Sequence, residues 1–497
     1  MTSQHTFKYL SEYYALEVEQ LYNSTIGKRS KDKIRGYGMF DKAYRAYREE
    51  ILWSLLDQVV CSGKEKMILS DKGARTLYAY NGRCWDRIDS DRFMKELVKR
   101  IFRSLEINIK YLASSERIGR ELVQSLQSSD EYLFTPDRRY ISFINGVFDL
   151  REGKLKAHSP RYVTDIALNF DYISEKDCNI QFRETCKLWE DFVGHKERGV
   201  FPIPEVAKDI QLFCGAMLLD RHQVKFEYMA CVFGPGSNGK SVFVDAVTGV
   251  FGREYCSTFT PAQLFKEGTN SSFCVSDLEG KLINVVGDLD NRDFSGGSLK
   301  RFISGEAIMA REPYGKKNRP VEPPLMICCA NEMPEARDDS HGHHRRLLPF
   351  ESTRRMWTEK DKDANLTAKL STNEAKMFIF HWIYKGYRRI LNTEHNNIPW
   401  SEFTLNAQER FRDNANSMRR WWVDSEWDIP ENDKSGFWKP LNELYKEYKE
   451  YCADNYYVLR RNLELSAMLR SKGLKNTRLG NGVNFYITRK VFDEETN

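Results

Sequence analysis

Short apolar runs, each closed by a turn signal, punctuate this 497-residue chain. The sharpest runs from Tyr228 to Phe233 and empties into Gly234-Pro235-Gly236-Ser237-Asn238-Gly239; Lys240-Ser241 then opens Val242 to Val247, spaced as a helix. The pattern predicts a buried strand, a glycine turn and a helix. Lys281 to Asp290 reads as a second strand, ending in acidic residues, and Leu325 to Ala330 as a third, ending at Asn331. Between them, Met309 to Pro320 has a basic, Gly-containing centre that predicts a hairpin tip.

Upstream, residues 1 to 60 alternate aromatic and charged positions with helical period. From Met67 the period shortens: Thr76–Tyr80 and Cys84-Trp85 flank Asn81-Gly82, a hairpin signal, and a helix is expected from Asp91 to Leu105. Tyr140–Leu150 and Gly153–Leu155, closed by His158-Ser159-Pro160, read as two strands of structural purpose. Helices expected near 180–193 and 204–219 lead into the Tyr228 strand. Beyond residue 395, helical patterns cover Phe403–Trp422, Leu441–Cys452 and Leu463–Ser471. They are followed by Lys475–Arg478, the turn Gly480-Asn481-Gly482 and Asn484–Ile487. Helices before a small β-ribbon is the order of a winged helix, with Arg460, Arg461, Arg470, Lys472 and Arg478 available for phosphates. Such a module serves DNA or protein partners equally well.

Composition changes this picture little. Basic residues number 76 and acidic 71, so the net charge of +5 argues for no partner by itself. The local excess Lys28, Arg29, Lys31, Lys33, Arg35, Lys42, Arg45 and Arg48 reads as a solvated helix face before it reads as a phosphate surface. Eleven cysteines without a C-x-x-C pair predict reduced core residues and a cytoplasmic protein. Neither a signal segment nor a membrane span is expected. His341, His343 and His344 stand too close together to share a tetrahedral site easily, and zinc is not expected.

The chemistry concentrates at the glycine turn. G-x-x-x-x-G-K-[ST] between strand and helix converges backbone N–H groups on phosphates at a helix N-terminus. Lys240 adds a point charge, and the Ser241 hydroxyl can hold Mg²⁺. A carboxylate ending a neighbouring parallel strand suits Mg²⁺ and an attacking water. Asn331 is placed to orient water or sense the γ-phosphate. Arg345-Arg346, displayed after the third strand, can reach a neighbouring subunit's γ-phosphate.

Together, Gly234 to Ser241, Val285 to Asp290, Gly305-Glu306, Ala330-Asn331 and Arg345-Arg346 resemble the superfamily III helicases, in particular the phage and plasmid primase-helicases related to poxvirus replication proteins. Asn145–Leu150 with His158-Ser159-Pro160 is similar to that family's domain before the ATPase. The resemblance covers roughly residues 70 to 490. It implies an α/β fold with an AAA+-like P-loop core, an N-terminal α/β region and a C-terminal winged helix. The expected units are 1–60, a basic helical segment; 61–175, an α/β domain; 176–225, a helical collar; 226–395, the ATPase; and 396–497, the winged helix.

The implied function is an ATP- and Mg²⁺-dependent replicative DNA helicase of a mobile element, translocating on single-stranded and forked DNA as a homo-oligomeric, hexameric ring. A separate primase or polymerase is an open partner, and no membrane is involved. In that resemblance Gly234, Pro235, Gly236, Ser237, Asn238, Gly239, Lys240 and Ser241 bind ATP, while Ser241 and Asp288 hold Mg²⁺. Asp288 or Asp290 polarises the water, the choice left open because relatives often carry Glu there. Asn331 is the sensor, Arg346 the trans finger ahead of Arg345, and Lys316, Lys317 and Arg319 grip DNA. No primase is expected in the first 70 residues. The competing readings are an origin-binding initiator or helicase loader, and an ATPase acting on protein or RNA.

Overall fold

The computed structural model describes the chain except residues 1, 26–41, 62–64, 71–75, 105–111, 129–130, 132, 222, 266–268, 289–296, 311–318, 332–344, 354, 356–362, 394–397, 415–416, 433, 456, 458, 481 and 491–497. It begins with α1 (Thr2–Thr25) and α2 (Lys42–Val60). Leu10, Tyr14, Val18 and Tyr22 recur every four residues along α1 and are all buried, the stripe an amphipathic helix presents to a core. That core also holds α2, the antiparallel strands β1 (Ile68–Ser70), β2 (Thr76–Tyr80) and β3 (Trp85–Asp89), and helices α3 (Ser90–Ser104) and α4 (Leu112–Ser128). The hairpin expected at Asn81-Gly82 is present, with Tyr80 opposite Trp85. Lys28, Arg29, Lys31, Lys33 and Arg35 lie outside the described residues, as do the side chains of Lys42, Arg45 and Arg48.

The segment expected to hold two strands folds as three, β4 (Tyr140–Phe143), β5 (Gly146–Asp149) and β6 (Lys154–Lys156). The chain reverses at Ile144-Asn145, so Phe143 pairs with Gly146. It reverses again where Asp149 Oδ1 accepts the N–H groups of Arg151 and Glu152, a local turn that apolar patterning does not reveal.

Three helices follow: α5 (Glu175–Gln181), α6 (Arg183–Gly194) and α7 (Pro204–Gly215). Then come β7 (Met229–Phe233), α8 (Lys240–Phe251), β8 (Cys256–Ser257), α9 (Pro261–Phe265), α10 (Thr269–Ser276) and β9 (Ile283–Asp288). Helix α11 (Gly297–Ile303) precedes the antiparallel pair β10 (Ile308–Ala310) and β11 (Arg319–Val321). Last in this region are β12 (Leu325–Ala330), β13 (Leu347–Glu351), α12 (Leu366–Leu370) and α13 (Asn373–Leu391). Strands β13-β7-β12-β9-β8 form one five-stranded sheet in that order, and every pairing is parallel. The expected α/β class with a parallel sheet is therefore what the chain adopts.

Continuous apolar strands suit such a sheet because both faces are covered. Ala230 and Val232 of β7 enter one core, with α7, α8 and α13; Met229 and Cys231 enter another, with Leu299, Phe302 and Ile303 of α11. Helices α7 and α13 touch backbone to backbone. A Cβ on Gly215 would lie 2.1 Å from Tyr387 N, and one on Gly386 2.1 Å from Gln211 O, so neither position has room for a side chain. All eleven cysteines are free, eight of them buried, in keeping with their reading as core residues.

Strand β13 was not anticipated. Pro349 interrupts its apolar pattern, but β13 is an edge strand, where a missing N–H need cost no ladder bond. Helix α14 (Glu402–Asn414) packs on it, burying Phe411 beneath the sheet, while Gln408 Nε2 donates to Leu347 O at 2.7 Å. The last described elements are α15 (Ser417–Asp424), β14 (Trp427–Asp428), β15 (Phe437–Pro440), α16 (Leu441–Asp454), α17 (Asn462–Ser471), β16 (Asn476–Leu479) and β17 (Gly482–Arg489); the three helices, β14 and β17 share a fourth core. Over the helix expected at 403–422, the described residues hold α14 and α15. No described helix is long and apolar enough to cross a membrane.

Candidate functional site

Three strand ends meet at one edge of the parallel sheet. Phe233 pairs with Ala330, and Cys329 with Asp288, so the segments leaving β7, β12 and β9 emerge side by side. The register slips between Cys328 and Cys329, opposite Gly287, which brings Asp288 level with Cys329. Gly234 N donates to Ala330 O at 3.2 Å, holding the start of the glycine turn against the β12 end. The turn passes through Ser237 at φ 58° and Gly239 at φ 89°, and α8 then begins at Lys240.

Lys240 is buried, and its ammonium sits inside the turn. It donates to Gly234 O at 2.7 Å, Pro235 O at 2.9 Å and Asn238 Oδ1 at 2.9 Å. Asn238, 1% exposed, is held in turn by its amide: Nδ2 donates to Ser352 Oγ at 2.8 Å and Thr353 O at 2.9 Å. Ser352 Oγ donates to Phe233 O at 2.9 Å, closing the network on β7 itself. Ser352 and Thr353 escaped the sequence reading because they follow the unrecognised β13. The signal that could have found them is the apolar run Leu347-Leu348-Pro349-Phe350 ending in polar residues.

Gly236, Ser237 and Ser241 are exposed at the rim of the turn, where the first N–H groups of α8 are unpaired within the helix. That end of the helix favours an anion. Asn331 lies against the turn, its Oδ1 being 3.9 Å from where a Cβ on Gly236 would stand. The backbone of Asp288 ends β9 at the same edge; its carboxylate and all of Asp290 lie outside the described residues. So do Lys316, Lys317, the side chain of Arg319, His341, His343 and His344.

Arg345 and Arg346 sit elsewhere. They precede β13, whose Leu347 pairs with Met229, so they lie at the opposite edge of the parallel sheet. About five residues of strand, roughly 16 Å, separate that edge from the turn. Arg346 Nε donates to Ser304 Oγ at 3.0 Å, and Glu227 pairs with Arg345 at 3.5 Å and Arg346 at 3.7 Å. An arginine so placed faces away from its own chain's turn. Two clefts of about 420 and 570 Å³ include none of residues 234–241 and lie apart from this chemistry. Among the described residues no cluster of His, Cys, Asp and Glu has the makings of a metal site.

Two family descriptions match parts of the chain: "Family of unknown function (DUF5906)" over residues 232–346, and "D5 N terminal like" over residues 49–196. The first span holds the turn, Asp288, Asn331 and the arginine pair. The chain is 25% identical over 217 residues to the Acanthamoeba polyphaga mimivirus protein named "Putative helicase L207/L206", a match covering 42% of this chain and 21% of that protein. It thus spans about a fifth of that relative. Two solved structures of the NrS-1 C terminal region are similar over 88% of this chain. They cover 99% and 98% of their own chains, at 13% and 12% identity with TM-scores of 0.41 and 0.40. Likenesses of that size fix neither fold nor function. The likeness to a helicase-named protein is thus partial and at low identity, and the D5-type match covers residues 49–196.

Proposed function

We propose that this chain is an ATP-dependent replicative DNA helicase of a phage, plasmid or other mobile element, acting as a homo-oligomeric ring on single-stranded and forked DNA. The observation that carries the reading is the shared edge: a glycine turn wrapped around Lys240, with Asp288 and Asn331 ending the next two strands. In this reading the exposed N-terminus of α8 and Lys240 bind the phosphates, and Asn331 orients the attacking water. The Ser241 hydroxyl and the Asp288 carboxylate, both oxygen donors of the kind Mg²⁺ takes, would hold the ion. When bound, Mg²⁺ neutralises charge on the phosphates.

Residues 226–395 are then the ATPase unit, and the D5-type region and the C-terminal helices with their ribbon are its flanking modules. Arg346, far from its own turn, serves the neighbouring subunit, as hydrolysis between subunits of a ring requires. The initiator reading is kept by one observation: residues 460–490 hold eight basic residues against one acid, Glu464. A large ratio of specific to non-specific DNA affinity would favour it.

The test is ATP hydrolysis by wild type mixed with Arg346→Ala in varying ratios, with and without single-stranded DNA. Stimulation by DNA and a non-linear fall with mutant fraction support the ring. Indifference to DNA with a linear fall refutes it. Lys240→Ala sets the zero, with hydrolysis reduced at least about a hundredfold if charge on the phosphates is what it supplies.

A further inference from the structure

The hairpin β10–β11 is fastened at its base by a side chain that no motif marks. Arg221 lies between α7 and β7. Its Nη1 donates to Pro323 O at 2.9 Å, and its Nη2 to Ile303 O at 2.6 Å and Phe226 O at 3.1 Å. These carbonyls belong to three different pieces of chain. Ile303 ends α11, five residues before β10; Pro323 follows β11 by two residues; Phe226 precedes β7 by three. One rigid, planar fork therefore pins both ends of the hairpin excursion to the root of the strand that carries the glycine turn. Burial pushes the Arg221 pKa down to about 10, against the pull of Glu322 and Glu227, and the group stays charged at neutral pH.

The same cluster holds the arginine pair. Gly305 stands beside the guanidinium, and a Cβ there would lie 2.9 Å from Nη2, on a backbone at φ +74° that side chains disfavour. Ser304, one residue earlier, accepts from Arg346 Nε, and Glu227, next to Phe226, pairs with Arg345 and Arg346. The turn Ile303–Glu306 thus touches Arg221 on one side and Arg346 on the other. Pro323 and Ile303 at the hairpin base are therefore joined to Arg346 by an unbroken set of contacts through Arg221 and this turn.

We infer that Arg221 is a positioning residue that couples the β10–β11 hairpin to Arg346, so that a polymer engaged by the hairpin alters hydrolysis at the neighbouring subunit's nucleotide. The inference rests on the nucleotide-hydrolase reading above and adds the element that carries the coupling. A purely structural role would lower every activity in proportion. A coupling role lowers stimulation while leaving the DNA-free rate in place.

The experiment measures ATP hydrolysis by the full chain with and without an oligothymidylate, for wild type, Arg221→Gln, Arg221→Lys and Gly305→Ala, with thermal melting of each. Arg221→Gln is expected to keep its DNA-free rate within about twofold and to lose about fivefold or more of its stimulation. Arg221→Lys, charged but without the fork, recovers only part. Gly305→Ala keeps every guanidinium donor and still loses stimulation, and it decides the matter if Arg221→Gln does not fold. Undiminished stimulation in Arg221→Gln and Gly305→Ala overturns the inference, as does a proportional fall of both rates. If wild-type hydrolysis survives Lys240→Ala unchanged, the nucleotide reading itself falls and the inference with it.

Discussion

Asp149 offers a direct test of how the region before the parallel sheet is held together. Its side chain is 0% exposed, and Oδ1 and Oδ2 accept from Arg139 Nε at 2.8 Å and Nη2 at 2.6 Å. Lys156 Nζ donates to Oδ2 at 2.7 Å, and the N–H groups of Arg151 and Glu152 donate to Oδ1 at 3.0 and 3.1 Å. Burial alone would push this carboxyl up. The Arg139 and Lys156 bonds, with the two backbone N–H groups, outweigh it and hold the group well below the usual carboxylate range.

Asp149→Asn keeps the shape, removes the charge and turns an N–H₂ toward Arg139 whichever way the amide lies. Breaking a buried ion pair costs about 3–5 kcal/mol. Because Arg139 and Lys156 each keep about a quarter of their surface in water (28% and 25%), the lower end applies, about 3 kcal/mol. At roughly 2–4 °C per kcal/mol for a domain of 150–250 residues, Tm should fall by about 6–12 °C. The assay is thermal unfolding followed by circular dichroism at pH 7, beside ATP hydrolysis well below the transition. A depressed carboxyl contributes stability that is present above its unfolded pKa and lost as pH falls through the folded one. The gap between variant and wild type should therefore be full at pH 7 and close only in strong acid. A Tm within about 2 °C of wild type at pH 7 would refute the reasoning, because a charge in five bonds cannot be idle.

Gly234→Ala should place a Cβ 2.3 Å from Ser352 Oγ, and overpacking of about 1–3 kcal/mol at the turn should raise the ATP KM about tenfold. Ser352→Ala in the same chain should recover part of that loss; no recovery would show that the clash is not the cause. His381, 3% exposed with Nε2 against Ile173 O at 2.8 Å, has its pKa lowered by burial, partly opposed by that carbonyl. The native state therefore favours the neutral ring. Its contribution is present above the unfolded value of about 6.5 and lost as pH falls through the lower folded value. His381→Gln should flatten the fall of Tm between pH 7 and 5, and an unchanged slope would count against it. If Lys316 and Lys317 grip DNA as proposed, Lys316→Ala with Lys317→Ala should reduce the salt slope of single-stranded DNA binding by about 1.4; an unaltered slope would refute that grip.

What the sequence determined by itself was local. The strand, glycine turn and helix from Tyr228 to Val247 were legible because apolar period, glycine and helix onset act over a few residues, and β7 and α8 form there. The same holds for the Asn81-Gly82 hairpin and for β12, whose expected bounds, Leu325 to Ala330, are those observed. The order β13-β7-β12-β9-β8 was not legible, because which strands pair is settled by packing of distant segments and not by the period of any one of them. A proline hid β13, and with it Ser352 and Thr353, which hold Asn238 from more than a hundred residues away. The sequence put Arg346 after the third strand; only the parallel register placed it at the far edge, away from its own Lys240. Arg221 had no signal at all. Its role comes from three carbonyls that are scattered along the chain and adjacent only once the sheet and α11 have folded around it.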